Sequence, residues 1–313
     1  MRPDILLIEP MMAAIERQLD EHYQVHRLAR AADPEALLAD VAPRVRAIVT
    51  GGATGASRAL VERLPALEII AINGIGTDAV DLGQARAKAV RVTTTPDVLT
   101  DDVADLALGL LLATARGLAT GDRFVRAGRW RRREPLPLAA KVSGKRLGVL
   151  GMGRVGRAIA RRAEAFALEI AYHDLAPMAD LPFAYQADLA ALAAWADFLV
   201  VAAAGGPGSQ GLVGRQVLDA LGPSGILINV ARGSVVDESA LVAALVEERL
   251  GGAGLDVFVD EPEVPEALWS LEQVVLQPHR ASATVETRIA MGELVLANLA
   301  AHFAGQAPVT PVV

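Results

Sequence analysis

No cysteine occurs anywhere in the 313 residues, so disulfide staples, thiolate catalysis and cysteine-bound zinc are excluded at the outset. Long apolar runs are missing as well. The longest, "LALGLLLATA" from Leu106, counts ten residues between Asp105 and Arg116, whereas a membrane-crossing helix needs about 20. The amino terminus, "MRPDILLIEP", has an acid inside its apolar stretch and no small-residue cleavage site. It reads as a first β-strand rather than a secretory signal. Nor is there an excess of positive charge: the formal net charge is −7, with the signs interspersed, which argues against a nucleic-acid surface. One basic cluster, "RWRRRE" at Arg129–Glu134, reads as a solvated loop, with contact to an acidic substrate as the sharper alternative. The expectation is a cytoplasmic protein with neither a membrane nor a nucleic acid as partner.

Hydrophobic residues make up 52% of the chain, enough for a sizeable core, and no long low-complexity stretch suggests disorder. The length exceeds what one hydrophobic core usually supports, so two domains are expected. Short β-branched runs such as "DILLI", "VRAIVT", "LEIIAI" and "VRVTT" are apolar on both faces, as buried parallel strands are. Helical patterns lie between them; "DPEALLADVA" opens with an Asp cap and Pro at the first helical position. The stretch "PDVLTDDVADLALGLLLATARGLATG" reads as one long helix starting near Thr100. It is apolar around most of its circumference and must be buried, in its own domain or against another subunit. The alternation then restarts with "RLGVLG", "LEIAYHD", "DFLVVAA", "GILINV", "GGAGLDV" and "VVLQP", and an amphipathic helix closes the chain. The predicted fold is α/β: two doubly wound parallel-sheet, Rossmann-like domains with a cleft between them.

"LGVLGMGRVGRAIARRA" places Gly151, Gly153 and Gly156 in GxGxxG spacing, after an apolar strand and at the opening of a helix. That context reads as a dinucleotide site. The first glycine permits a tight turn, the second lets backbone approach a pyrophosphate, and the third allows close helix–strand packing. The turn residues Met152, Arg154 and Val155 belong to the same candidate site. The acid expected about 20 residues further on is Asp174, followed by Leu175. A carboxylate there suits the free ribose hydroxyls of NAD and repels the 2′-phosphate of NADP. NAD is therefore the expected cofactor, with NADP as the less favoured one.

His279 follows a proline in "VVLQPHRAS" and, taken alone, reads more readily as a structural loop residue. Arg232 alone suits a cap or ion pair, and Glu261 in "DEPE" a solvated turn acid. Six segments in register change this reading. "INGIGTDAVDL", "TTPDVLTDDVADLALGLLLA", "GMGRVG", "NVARGSVVDESAL", "GGAGLDVFVDEPEVPE" and "QPHRASATVETR" together resemble the D-isomer-specific 2-hydroxyacid dehydrogenases. Within that family the resemblance is to hydroxyphenylpyruvate, hydroxypyruvate and glyoxylate reductases, and it runs from about Val49 to the carboxyl terminus. It implies a substrate domain at 1–97 plus 285–313, a dinucleotide domain at 98–284, and a homodimer built through the Thr100–Gly117 helix.

The same resemblance places the catalytic set on Arg232, Glu261 and His279. Reducing a 2-oxo acid needs a hydride at C2 and a proton on the developing alkoxide, and an imidazolium gives such a proton near neutral pH. Glu261 would orient the imidazole and stabilise its charge; Arg232 would clamp the substrate carboxylate with its planar fork. Thr100, Val230, Ala231 and Asp256 fall where family members line the nicotinamide, Asp256 at the acid that contacts the carboxamide. Gly52, Ala53, Ile75 and Gly76 fall on the loops that present amides to the substrate, although glycines there serve equally as plain turns. No metal is expected. Ala281 stands where many members have glycine, and Arg133 where some hydroxypyruvate reductases carry a pocket-closing aromatic. The competing readings are a phosphoglycerate-dehydrogenase-like enzyme, which would usually carry further regulatory domains, and a non-catalytic dinucleotide-sensing protein of the same fold.

Overall fold

The computed structural model describes residues 2–313, and these divide into two compact units. The first contains residues up to Leu99 together with Ser282–Val313, and the second contains Thr100–Ala281.

In the first unit five parallel strands, β1 (Asp4–Leu7), β2 (Gln24–Arg27), β3 (Val45–Gly51), β4 (Ile69–Asn73) and β5 (Arg91–Thr93), are ordered β2-β1-β3-β4-β5. Successive side chains of a strand point to opposite faces, so both faces need cover. On β1, Leu6 joins one buried cluster with Ile48, Ile70 and Val92, while Ile5 and Leu7 join another with Val49, Ile69, Val295 and Leu299. Helices α1 (Ala13–His22), α2 (Pro34–Val41), α3 (Arg58–Arg63) and α4 (Leu82–Ala87) cover these faces, together with the closing helix of the chain. Asp33 caps α2 by accepting from the Ala36 amide, with Pro34 at the first helical position, as its sequence signature requires.

In the second unit the helices come in the order α5 (Thr100–Ala115), α6 (Leu118–Arg126), α7 (Arg154–Glu164), α8 (Leu189–Trp195), α9 (Arg215–Leu221) and α10 (Glu238–Val246), and α11 (Val285–Phe303) follows back in the first unit. The strands are β6 (Arg146–Leu150), β7 (Glu169–His173), β8 (Ala184–Tyr185), β9 (Phe198–Val201), β10 (Ile226–Asn229), β11 (Gly252–Leu255) and β12 (Val274–Leu276). All pair in parallel, in the order β12-β11-β10-β9-β6-β7-β8. The order reverses between β6 and β9, and the crevice beyond the carboxyl ends of strands at such a switch point is where open α/β sheets bind ligands.

The predicted long helix is two helices. Gly117 takes a left-handed backbone, φ 58°, and α6 leaves α5 at 59°. The apolar faces of α5 are taken up inside its own unit: Val103, Ala104, Ala107, Leu108, Leu110 and Leu111 are buried, and the helix packs on α7, β10, β11 and β12. Its apolarity therefore calls for no partner by itself. Its polar edge meets α7 through Arg162, which pairs with Asp101 at 2.9 Å and Asp105 at 2.5 Å. Among the described residues no single helix is long and apolar enough to cross a membrane; the bent pair α5–α6 reaches that length and composition together.

Candidate active site

At the switch point β6 ends on Leu150 and the chain turns through Gly151 at φ 91°. A Cβ there would also stand 2.5 Å from the backbone of Ala203, beyond the end of β9. Only glycine meets both conditions. A Cβ on Gly156 would lie 2.0 Å from the Gly151 carbonyl oxygen, so the third glycine lets α7 lie directly on the turn. Gly153 caps α7 without a side chain, and no neighbouring atom lies within 4 Å of the Cβ it lacks. The first amides of α7 are thus offered, without a side-chain cap, to an open space, the arrangement an anionic phosphate takes. Arg154 is exposed and Val155 half-buried.

Asp174, at the end of β7, is fastened to this turn. Its two carboxylate oxygens accept from the amides of Met152 and Leu175, each at 2.7 Å, while the Leu175 side chain is fully exposed. The donor set fits a dinucleotide: a glycine turn, an open helix terminus and an acid at the second strand.

At the other end of the same sheet, β11 leads into Asp256, which is completely buried. Three loop amides converge on it. His279 donates to its carbonyl at 2.8 Å, and Arg280 and Ala281 donate to its two carboxylate oxygens at 2.8 and 2.9 Å. His279 itself has φ 46°, a left-handed backbone that costs a residue with a Cβ about 1–2 kcal/mol. The three amide bonds offset that cost and fix the direction in which the imidazole leaves the loop. Burial pushes the Asp256 carboxyl above its ordinary range, against the two amides that stabilise its charge.

The imidazole Nδ1 meets Glu261 Oε2 at 2.6 Å. The other Glu261 oxygen accepts from the Phe258 amide at 3.0 Å. Burial pushes the Glu261 carboxyl up, but the hydrogen bond from His279, the Phe258 amide and the charges of His279 and Arg232 outweigh it and hold it below the ordinary range. An ionised carboxylate only accepts, so Nδ1 carries the proton and donates. The His279 side chain is 36% exposed, so the imidazole stays open to solvent while Nδ1 is engaged.

Arg232 follows β10 on an extended backbone and donates from Nη1 to the Ala231 carbonyl at 2.7 Å. Val230 and Ala231 beside it are buried. Two residues that sequence reasoning did not single out hold this turn. Asn229, buried, donates to the Arg232 carbonyl at 3.0 Å and accepts from the Ala231 amide at 3.1 Å, an Asx turn that a polar residue closing an apolar strand could have signalled. Gly233 lets the turn approach the Glu261 segment, since a Cβ there would lie 2.0 Å from the Phe258 carbonyl carbon. Arg232, Glu261 and His279 are thus set on segments that touch or share hydrogen bonds within the second unit.

Thr100 opens α5 half-buried in the second unit. The remaining candidates lie in the first unit, beyond β3 and β4. Gly52 passes so close to the next loop that a Cβ would stand 3.2 Å from the Gly76 carbonyl oxygen, while Ala53 and Ile75 are exposed. Among the described residues no group of three histidine or carboxylate side chains is placed to hold a metal ion.

Residues 108–281 match the family pattern described as the NAD binding domain of the D-isomer specific 2-hydroxyacid dehydrogenases. Over 99% of its length the chain is 48% identical to a hydroxyphenylpyruvate reductase of Plectranthus scutellarioides, covering 98% of that protein. Over its whole length it is 44% identical to a 2-ketogluconate reductase of Gluconobacter oxydans, covering 99% of it. Among solved structures it is similar, with a TM-score of 0.94, 45% identity and coverage of 100% and 97% of the two chains, to an NADPH-dependent glyoxylate/hydroxypyruvate reductase of Sinorhizobium meliloti in complex with NADP and malonate. The chain belongs to the D-isomer specific 2-hydroxyacid dehydrogenases. It is an oxidoreductase that uses a nicotinamide cofactor to reduce 2-oxo acids to D-2-hydroxy acids.

Proposed function

We propose that the chain reduces small 2-oxo acids of the glyoxylate and hydroxypyruvate type, prefers NADH to NADPH, and works through Arg232, Glu261 and His279. The observation that carries this reading is the 2.6 Å bond from His279 Nδ1 to Glu261, on a loop tied to buried Asp256, with the imidazole still partly exposed.

In this reading the nicotinamide, when bound, supplies the hydride that adds to C2. Nε2 of His279 delivers the proton to the carbonyl oxygen as negative charge develops there. Glu261 stays ionised throughout and stabilises the imidazolium before transfer. The Arg232 guanidinium, held in direction by the Asn229 turn, takes the substrate carboxylate. Gly52, Ala53, Ile75 and Gly76 are assigned to substrate binding through their backbone amides. Thr100, Val230 and Ala231 are assigned to the nicotinamide side. Asp256 belongs there too, in addition to its part in the histidine loop. Gly151, Met152, Gly153, Arg154, Val155 and Gly156 take the pyrophosphate. Asp174 takes the ribose, and Leu175 beside it offers no cation to a 2′-phosphate, which supports NADH. The names of relatives, a glyoxylate/hydroxypyruvate reductase of Arabidopsis thaliana and a glyoxylate reductase of Pyrococcus horikoshii among them, support a small 2-oxo acid of this type.

A homodimer in the cytoplasm is part of the same reading. Support for assembly comes from the stretch after α5, where Leu118, Val125, Trp130, Leu136 and Leu138 are exposed apolar side chains. Sedimentation at micromolar concentration should show a dimer, and a monomer there would remove that part.

The test is a kcat/KM panel over glyoxylate, hydroxypyruvate, pyruvate, phenylpyruvate and hydroxyphenylpyruvate with both cofactors. The expected result is NADH above NADPH and the two small polar acids above the aromatic ones. A higher kcat/KM with NADPH, or no turnover of any member, would contradict it.

A further inference from the structure

A cation just outside the GxGxxG motif touches both the glycine turn and the segment beyond β7. Arg157, on the first turn of α7, donates from Nε to the Met152 carbonyl at 3.2 Å. Met152 is therefore gripped on both sides, its amide by Asp174 and its carbonyl by Arg157. The guanidinium then reaches across to the segment that follows Asp174. Its terminal nitrogens donate to the two Asp180 oxygens at 2.5 and 3.2 Å, and one of them contacts Met178 Sδ at 3.2 Å. The Met178 amide donates to the Tyr172 hydroxyl at 2.7 Å, and the Tyr185 hydroxyl donates to the Asp174 carbonyl at 3.2 Å. The segment 174–180 is thus held at its acid, at Met178 and at Asp180.

We propose that Arg157 is the residue that decides how far this site tolerates a 2′-phosphate on the adenosine ribose, and that Asp180 is the latch that keeps it from doing so. The inference rests on the reading above that Asp174 receives the ribose. A phosphate on that ribose lies beside Asp174, and so beside the residue whose carbonyl Arg157 already holds. With Asp180 in its fork, Arg157 is neutralised. The latch is nonetheless weak, because the Asp180 side chain is 66% exposed and an exposed ion pair contributes little in water. A phosphate offers the same planar fork a stronger acceptor than a carboxylate. NADPH would therefore be disfavoured by Asp174 and Asp180 together, with Arg157 as the compensating cation already in place once its partner is removed.

The experiment measures dissociation constants of NADH and NADPH by the fluorescence of the reduced nicotinamide, with no substrate present, for the wild type, Asp180→Asn, and Asp180→Asn combined with Arg157→Gln. Asp180→Asn should tighten NADPH binding by about three- to fivefold, the scale of releasing an exposed ion pair, while NADH changes by less than about twofold, and the gain should shrink as salt is raised. The double variant should fall back to the wild-type ratio of the two constants. Should Arg157→Gln fail to fold, Arg157→Lys in the Asp180→Asn background serves instead and should keep only part of the gain, having charge without the fork. An unchanged NADPH constant in Asp180→Asn, or a gain that survives the loss of Arg157, would overturn the proposal. Wild-type protein that binds NADPH more tightly than NADH would overturn the ribose reading beneath it as well.

Discussion

The two units carry the same kind of sheet and, at the ends of their strands, two glycine-rich turns that differ in what they present. Beyond β4, Gly74 and Gly76 sit against Gly52 of the neighbouring loop, where a Cβ would be tight at 3.2–3.3 Å but not impossible. No helix begins there until Leu82. Beyond β6, Gly151 and Gly156 leave no room at all, with Cβ contacts of 2.5 and 2.0 Å to backbone, and α7 starts at once at Arg154. The first turn offers loop backbone, and the second offers the uncapped amides of a helix terminus, the arrangement that suits an anion. Doubly wound topology alone thus does not make a dinucleotide site. The abrupt passage from strand to helix does, and the glycines are what permit it.

Arg232→Ala sharpens the comparison most, by showing what the second unit does beyond holding a cofactor. Its kcat/KM on hydroxypyruvate should fall on the order of 10²–10³-fold, the scale for losing a positioned charged donor, with the NADH dissociation constant little changed. A mutant impaired only in NADH binding would move Arg232 out of the substrate site.

The glycine turns themselves come next. Gly156→Ala should weaken NADH binding by more than about tenfold and lower stability by about 1–3 kcal/mol through overpacking, as read by titration and melting. Gly52→Ala should leave NADH binding intact and raise KM for the 2-oxo acid. Equal loss of NADH affinity in both variants would erase the difference between the turns.

Most of the two sheets was legible in the sequence because parallel strands buried on both faces are apolar throughout, as "DFLVVAA" and "GILINV" are. The edge strands were not: β2 reads "QVHR" and β8 is two residues long, so neither carries an apolar run. The hydrophobic pattern runs on through Gly117 and hides the break between α5 and α6, which depends on one left-handed residue. The apolar circumference of α5 left its own core and a second subunit both open as cover, and the sheet and α7 take up much of it. In the site, His279, Glu261 and Arg232 were each bland alone, and only the resemblance carried by the six motifs in register placed the catalytic set on them. The clasp of Asp256 on the histidine loop was hidden, because it depends on the φ of His279. Arg157 was hidden as well, because its partners arrive from the segment beyond β7.

The smallest expected effect is on stability against pH. The Glu261 carboxyl lies below its ordinary range in the folded chain. Its contribution is therefore present above the unfolded value of about 4.3 and is lost as pH falls through the lower folded value. Wild type and Glu261→Gln should differ in Tm at pH 6 and converge towards pH 3. A gap that widens on acidification would give the pair the wrong sign.

The most direct measurement is a single turnover of NADH with saturating hydroxypyruvate by His279→Ala, followed by the loss of nicotinamide absorbance. If His279 gives the proton, the rate falls by about 10²–10⁴-fold while the NADH dissociation constant stays within about twofold of wild type. A mutant that oxidises bound NADH at the wild-type rate would show that the proton comes from elsewhere.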